Sequence, residues 1–416
     1  MNRRDWLLGV AATAIGTSLV RPAATAAPAA VNSKSVAAVV TAYEKGLHAD
    51  VLIGKILEGW KQDGGQGPAL TLASMYVDQF TARDLARPLA KKYGVPLFDT
   101  IEKAVTVGGN KIPVDGVISI GEHGDYPWND KEQHLYPRRR FFQEITDTFQ
   151  KYGRVVPVFN DKHLGPAWED AKWMYDRARE LKVPFMAGSS LTLTFLDPEI
   201  VVPMDCEIEA AVGIGYSGLD VYGAHALEVF QCLVERRRGA ETGVQWVQCL
   251  ERQAAWDAVD RGVVPRDVFE AALAAVGVTP ERQVELRRRE QSALFLFQYR
   301  DGLAGAVFMM PDSVGGNSVA LKLKGKSQIL ATRFEERTKP YYPHFAYLLK
   351  GIERMIHSGR PSYPVERTLL TSGILDRALT SRAQNHDRLM TPELAIQYQP
   401  VDYPHAPQPD LDAVNP

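Results

Sequence analysis

The stretch Arg154–Gly188, RVVPVFNDKHLGPAWEDAKWMYDRARELKVPFMAG, decides the fold. Val155, Val156, Val158 and Phe159 form an apolar run broken only at Pro157, the pattern of a strand buried on both faces. Gly165 and Pro166 open a helix, with proline at its first position. Ala167, Ala171, Met174, Ala178 and Leu181 recur at helical spacing and face the sheet. Val183 to Ala187 is the next short strand. In an open parallel sheet, ligands bind beyond the carboxyl ends of the strands. The loop Asn160-Asp161-Lys162-His163 lies there, which makes Lys162 a candidate for chemistry. The commoner role of such a residue is a solvated loop lysine.

Toward the N-terminus, strand and helix patterns alternate. Ser35–Val40, Leu70–Val77, Val95–Phe98 and Val114–Ile120 read as strands. His48–Leu57, Thr81–Tyr93, Ile101–Val107 and Phe141–Tyr152 read as helices. The alternation predicts an α/β domain over residues 35–188, a Rossmann-like doubly wound parallel sheet. A dinucleotide-binding unit of this kind carries G-x-G-x-x-G after its first strand, because glycines let the backbone approach the pyrophosphate. Here the six residues are Thr41-Ala42-Tyr43-Glu44-Lys45-Gly46. Only the third glycine stands, and Tyr43 crowds the point where backbone must meet phosphate. Asp78 ends the second strand, where an acidic residue holds a ribose hydroxyl or caps the next helix.

The loop Gly121-Glu122-His123-Gly124-Asp125-Tyr126 gathers acids, an imidazole and a phenol at another strand's carboxyl end. Glu122, His123, Asp125, Asp161 and His163, with His134, offer ligands for a divalent metal. Their spacing singles out no ligand set, and hydrogen bonding within polar loops accounts for them as well. Tyr136-Pro137-Arg138-Arg139-Arg140 suits an anion clamp or a solvated face.

At 416 residues the chain is long enough for two domains, and 45% hydrophobic with 24% charged residues is a globular composition. A net charge of -2 implies no polyanion partner, so nucleic acid is not expected. Cys206, Cys232 and Cys249 show no metal-type pair. A Cys206–Cys232 or Cys232–Cys249 bridge is possible, and buried thiols are the alternative. Asn2-Arg3-Arg4-Asp5-Trp6-Leu7-Leu8 resembles the twin-arginine export motif. An apolar stretch to Val20 and the small residues Ala24-Thr25-Ala26 follow it. Residues 1–34 therefore read as signal peptide and linker, and the protein as periplasmic or secreted. No later run is apolar enough to hold it in a membrane after export.

Residues 189–383 read as an α+β domain. Ser292–Arg300 pairs with Leu303–Met310 across Asp301-Gly302, and Ser318–Leu323 pairs with Ser327–Phe334 across Lys324-Gly325-Lys326. These hairpins predict an open, mainly antiparallel sheet with one face for helices and one for a second copy of the chain. Ala254–Val276 reads as helix. Tyr341-Tyr342-Pro343-His344-Phe345 offers aromatic faces that stack on sugar rings or simply pack. Residues 384–416 read as a polar, proline-rich tail on the surface.

The order of these elements, with Lys162 after its strand, resembles the glucose–fructose oxidoreductase and inositol dehydrogenase family, Gfo/Idh/MocA. Lys92-Tyr93-Gly94-Val95-Pro96-Leu97-Phe98 is similar to its "kyGvp-y" segment, and Val114–Ile120 to its "VDaV-I" strand. Asp161-Lys162-His163 falls where the family has Glu-Lys-Pro. Gly218–Glu228, GLDVYGAHALE, resembles its "G-x-L-x-D-x-G-x-H-x-x-D" helix opening. Glu228 replaces the second aspartate, and Asp220 is displaced by one position from the first.

The resemblance implies a carbohydrate-acting oxidoreductase that uses NAD or NADP on a sugar or polyol hydroxyl. Lys162, His225 and Asp161 would be catalytic. Thr41, Tyr43, Gly46, Asp78, Glu122 and His123 would face the cofactor. Tyr126, His163, Asp220 and Glu228 would face the substrate. Two readings stand beside it: a metal-dependent or cofactor-independent carbohydrate hydrolase or lyase on the same fold, and a non-catalytic carbohydrate-binding protein.

Overall fold

The computed structural model describes residues 33–288 and 291–406. The first half of the described chain runs β1 (Lys34–Val40), α1 (His48–Glu58), β2 (Leu70–Val77), α2 (Ala86–Tyr93), β3 (Leu97–Phe98), α3 (Ile101–Thr106), β4 (Gly116–Ile120), α4 (Arg138–Tyr152), β5 (Val158–Asp161), α5 (Trp168–Glu180) and β6 (Phe185–Gly188). The strands pair in the order β3-β2-β1-β4-β5-β6, all parallel. The order reverses between β1 and β4, which opens a crevice beyond their carboxyl ends. Every residue of β4, β5 and β6 is buried, as a sheet covered on both faces requires.

Two boundaries differ from the sequence reading. α5 starts at Trp168 rather than Pro166, because Ala167 is extended (φ -103, ψ 146) and the Trp168 N–H donates to Asp376 Oδ2 at 3.2 Å. β5 starts at Val158, and Val155 is 39% exposed. Proline at 157 has no N–H to give a sheet ladder, and the later start makes Asp161 the last strand residue.

The second half runs β7 (Phe195–Asp197), β8 (Ile208–Gly215), α6 (Val221–Val234), β9 (Val244–Glu251), α7 (Arg252–Asp260), α8 (Arg266–Ala275), α9 (Pro280–Leu286), β10 (Ala293–Tyr299), β11 (Ala304–Met309), β12 (Asn317–Leu323), β13 (Ile329–Glu335), α10 (Pro343–Ser358), α11 (Glu366–Ala383) and β14 (Leu389–Met390). Its sheet has the order β14-β9-β10-β11-β8-β12-β13-β7. Neighbours are antiparallel except β11 with β8. Both expected hairpins are present, β10–β11 and β12–β13. The helix read over 254–276 is two helices, broken where Gly262 takes φ +72 ahead of Pro265.

Alternation along the strands supplies two apolar faces. Phe295, Phe297 and Val307 pack with Leu227 and Phe230 of α6 and Leu375 of α11. Leu294, Leu296 and Phe308 pack with Trp256 of α7 and Phe269 of α8. The face expected to receive a second copy is therefore covered by the chain's own helices. The expected surface tail instead adds β14 to the sheet edge and buries Leu394. All three cysteines are free thiols. The twin-arginine-like segment lies outside the described residues, among which no helix is long and apolar enough to cross a membrane.

α11 ties the two sheets together. Its Ser372 Oγ accepts from the Leu164 N–H at 3.1 Å, and its Thr368 Oγ1 donates to the Ala187 carbonyl at 3.2 Å. Arg367, buried on the same helix, forms a bidentate ion pair with Glu235 just beyond α6. Gly188 ends β6 against this junction with φ +122, and an added Cβ would sit 2.5 Å from Glu228 Oε2 and 2.8 Å from Thr368 Oγ1. Gly188→Ala is expected to cost roughly 1–3 kcal/mol from backbone strain alone. Urea denaturation checks this, and an unchanged midpoint would contradict it.

Candidate functional site

A cleft of about 630 Å³ lies between the two sheets, lined by the loops after β1, β4 and β5, the start of α6 and the segment leading into α10. Five lining residues, His123, Glu132, Lys162, Ser217 and Tyr342, take φ between 46 and 69. Non-glycine residues seldom adopt this region, and such outliers cluster at functional sites.

Lys162 follows β5 directly. Its Nζ lies 3.0 Å from Glu122 Oε1, while Arg138 Nη2 lies 2.5 Å from Glu122 Oε2. All three side chains are buried, Arg138 completely. Burial alone would raise the Glu122 carboxyl, but the Lys162 ammonium and the Arg138 guanidinium hold it well below the usual carboxylate range. The lysine thus presents a fixed positive charge at the cleft wall.

His225 enters from α6. Its Nδ1 lies 2.5 Å from Ser189 Oγ, whose own backbone N–H donates to Glu228 Oε2 at 3.1 Å. Burial, reinforced by the Lys162 charge, pushes the imidazole well below its ordinary value, so it is neutral near pH 7. From the other domain His48, the first residue of α1, also faces the cleft. Its Nδ1 lies 2.6 Å from Asp161 Oδ2, and that carboxylate is 1% exposed. A buried carboxylate on Nδ1 orients an imidazole and leaves Nε2 to exchange protons. His123 stands beside His48 with ring centroids 5.2 Å apart, and burial followed by the His48 charge lowers it to about 4.

Two acids complete the lining. Asp220 Oδ2 accepts the His134 N–H at 2.9 Å, and burial raises its carboxyl to about 6. Glu336, also raised by burial, accepts the Tyr216 hydroxyl at 2.8 Å on both oxygens.

Of the catalytic, cofactor and substrate residues read from sequence, Gly46, Glu122, His123, Lys162, Asp220 and His225 line the cleft, as do His134 of the metal reading and Tyr342, His344 and Phe345 of the aromatic cluster. The remaining catalytic, cofactor and substrate residues do not. Asp161 is turned onto His48 Nδ1. Tyr126 donates to Asp78 at 2.6 Å instead of facing a substrate. His163 is buried against Arg138 Nη1 at 3.2 Å. Glu228 accepts from Ser189 and from Thr371 at 3.1 Å. Asp125 binds Gln79 through its backbone. The basic run clamps the chain's own carboxylates: Arg138 on Glu122, Arg139 on Asp170, Arg140 on Asp78. His48, Ser189 and Glu336 had no local signal. The metal reading loses its geometry, since among the described residues no three His, Cys, Asp or Glu side chains converge as ligands.

Several buried histidines make the fold acid-sensitive. His123 is lowered to about 4 and His344 to about 3, both chiefly by burial, and His163 and His225 lie well below their ordinary value for the same reason. As pH falls through about 6.5, the unfolded chain binds protons that the folded chain refuses. Stability is therefore full above that pH and is lost progressively below it. Urea midpoints measured from pH 7.5 down to 5 are expected to fall steadily, and a flat profile would contradict this assignment.

No protein-family model matches the sequence, and no curated protein matches it. Solved structures do match. GenD2 from gentamicin A biosynthesis, in complex with NAD, superposes with a TM-score of 0.55 at 12% identity, over 86% of this chain and 97% of that one. The scyllo-inositol dehydrogenase of Lactobacillus casei gives 0.55 at 11% identity, over 86% and 98%. A putative myo-inositol dehydrogenase of Sinorhizobium meliloti gives 0.53 at 12%, over 86% and 99%. The chain has the two-domain fold of the Gfo/Idh/MocA-type dehydrogenases.

GenD2 holds NAD in that fold, and the residues of this Gfo/Idh/MocA-like chain do not fit a dinucleotide in the usual manner. At the amino end of α1, where a pyrophosphate would meet free backbone N–H groups, the Gly46 N–H already donates to Asp50 Oδ2 at 2.7 Å. The Thr41 N–H donates to the Ile120 carbonyl at 3.1 Å and its hydroxyl to the Glu122 carbonyl at 2.5 Å. Tyr43 is 1% exposed, packed in the core where the second glycine would leave room. Asp78, the expected ribose ligand, is taken up by Tyr76, Tyr126 and Arg140.

Proposed function

We propose that the chain is an exported enzyme acting on a sugar or polyol in the cleft, by proton transfer at a hydroxyl or at the carbon that bears it. The observation that carries this is the convergence of Lys162, anchored by Glu122, with two imidazoles from opposite domains, His225 and His48. Lys162 holds the reacting oxygen and stabilises negative charge as it develops there. His225, neutral and positioned by Ser189, exchanges a proton with that oxygen or its carbon. His48 is the second proton-transfer group, oriented by Asp161. Tyr222, Tyr342 and His344 give the cleft faces for a sugar ring.

The names of the similar structures, inositol dehydrogenases among them, support a hydroxylated substrate. They also support an oxidoreductase. The closed loop after β1 favours a redox-neutral use of the same proton-transfer groups. Calorimetric titration of free inositols and monosaccharides into the wild type and into Lys162→Met tests the substrate class. Binding to the wild type that Lys162→Met weakens at least tenfold is the expected result. Equal binding to both proteins would remove Lys162 from the site.

A further inference from the structure

We propose that this chain fills its own dinucleotide-phosphate site with Asp50 and Tyr341, binds neither NAD nor NADP, and carries out nicotinamide-independent chemistry in the cleft. Asp50 is 3% exposed and stands in the first turn of α1. One oxygen, Oδ2, accepts the Gly46 N–H at 2.7 Å and the Tyr341 hydroxyl at 2.5 Å. The other accepts Gln62 Nε2 at 3.3 Å. The carboxylate thus takes up the Gly46 N–H, two residues ahead of the helix, and brings to the helix amino end the negative charge it favours. A pyrophosphate placed there would meet a buried like charge, and displacing Asp50 would strip it of these partners in a place water barely reaches.

The cover is built in. Tyr341 belongs to the segment before α10, nearly three hundred residues away in sequence. Its carbonyl accepts from Lys55 Nζ at 2.6 Å, and Lys55 is fully buried. Lys45 Nζ lies 3.8 Å from Asp50 Oδ2 and 4.4 Å from the centre of the Tyr341 ring. Glu44 is held by Arg83 at 2.6 Å. Lys45, Lys55 and Arg83 thus each lie against a carboxylate, a carbonyl or a ring of the chain itself.

The chemistry left to the cleft needs no hydride acceptor. On a sugar that already bears a carbonyl, the proton on the adjacent carbon passes to one imidazole. The C–H electron pair becomes the enolate, whose oxygen rests on Lys162. The other imidazole returns a proton to the opposite face, or to the neighbouring carbon with the matching shift of the hydroxyl proton. The product is an epimer or an isomer, with atoms and electrons conserved and nothing oxidised overall. This step rests on the proton-transfer reading above; closure of the phosphate site does not.

The test uses the full chain, purified without added nucleotide. Denaturation and mass spectrometry of the supernatant are expected to release no NAD, NADH, NADP or NADPH. Calorimetric titration with each of the four is expected to give no binding up to 1 mM. A stoichiometric nucleotide, or a Kd below about 100 μM for any of them, would overturn the proposal. Failure of the sugar titration with intact nucleotide exclusion would sink the substrate reading and leave the closed site standing. Tyr341→Phe keeps the ring and removes only the hydroxyl on Asp50. If it and the wild type both bind NAD, Asp50 and Tyr341 do not close the site.

Discussion

Replacing Glu122 by alanine is expected to destabilise the protein by roughly 3–5 kcal/mol, the largest stability effect among the site residues. The reason is the pair of cations it serves. Arg138 is wholly buried and Lys162 is 4% exposed, and both close on this single carboxylate. Without it, two like charges remain close together with little water. Glu122→Gln keeps the shape and one acceptor oxygen, so it should be milder, yet it still leaves both cations without their counter-charge. Urea denaturation at pH 7.5 gives the comparison. The carboxyl is held well below its ordinary value, so the ion-pair contribution is present above the unfolded-state value of about 4.3 and is lost progressively as pH falls from there through the depressed folded value. At pH 3 the gap between wild type and Glu122→Ala should therefore be narrower than at pH 7.5. A gap that does not narrow would rule out the charge argument.

The second large effect concerns turnover. Once a substrate is in hand, Lys162→Met is expected to lower kcat by roughly 10²–10³, the usual loss when a charge-stabilising donor is removed. Methionine fills a similar volume and leaves the Arg138–Glu122 pair intact, so the fold should persist. His225→Gln should cost roughly 10²–10⁴ in kcat, as expected for loss of a general acid–base group. Asp161→Asn is the more discriminating change. It keeps a partner on His48 Nδ1 but removes the charge, so it should alter the pH profile of kcat with little change in KM. A mutation that merely loosened the loop would shift KM and stability without that signature.

Much of the architecture was legible because it rests on short-range periodicity. The βαβ alternation from residue 35 onward, both hairpins, and Lys162 beyond its strand follow from apolar spacing and turn chemistry that the structure retains. The missing glycines were legible too, as a vacancy in a motif. What replaces them was not, since Tyr341 reaches Asp50 across most of the chain. The same limit hid His48, whose partner Asp161 is 113 residues away. The arginine run offers a subtler case. Composition shows three adjacent cations but not that each meets a carboxylate brought in by a different element. Pro166 misled in the other direction. Its preference for a helix start is real, but the chain must first travel toward Asp376 on α11 before it turns helical.

That contact has a consequence for how the molecule comes apart. α11 bonds the loop after β5 and the end of β6 on one side and packs against α6 and β9 on the other. The Arg367–Glu235 pair fixes α11 to the end of α6, and the Ser372 and Thr368 bonds carry that hold across to the first sheet. A helix shared in this way is expected to make the two sheets melt as one cooperative unit rather than as beads on a string, with a single transition in urea.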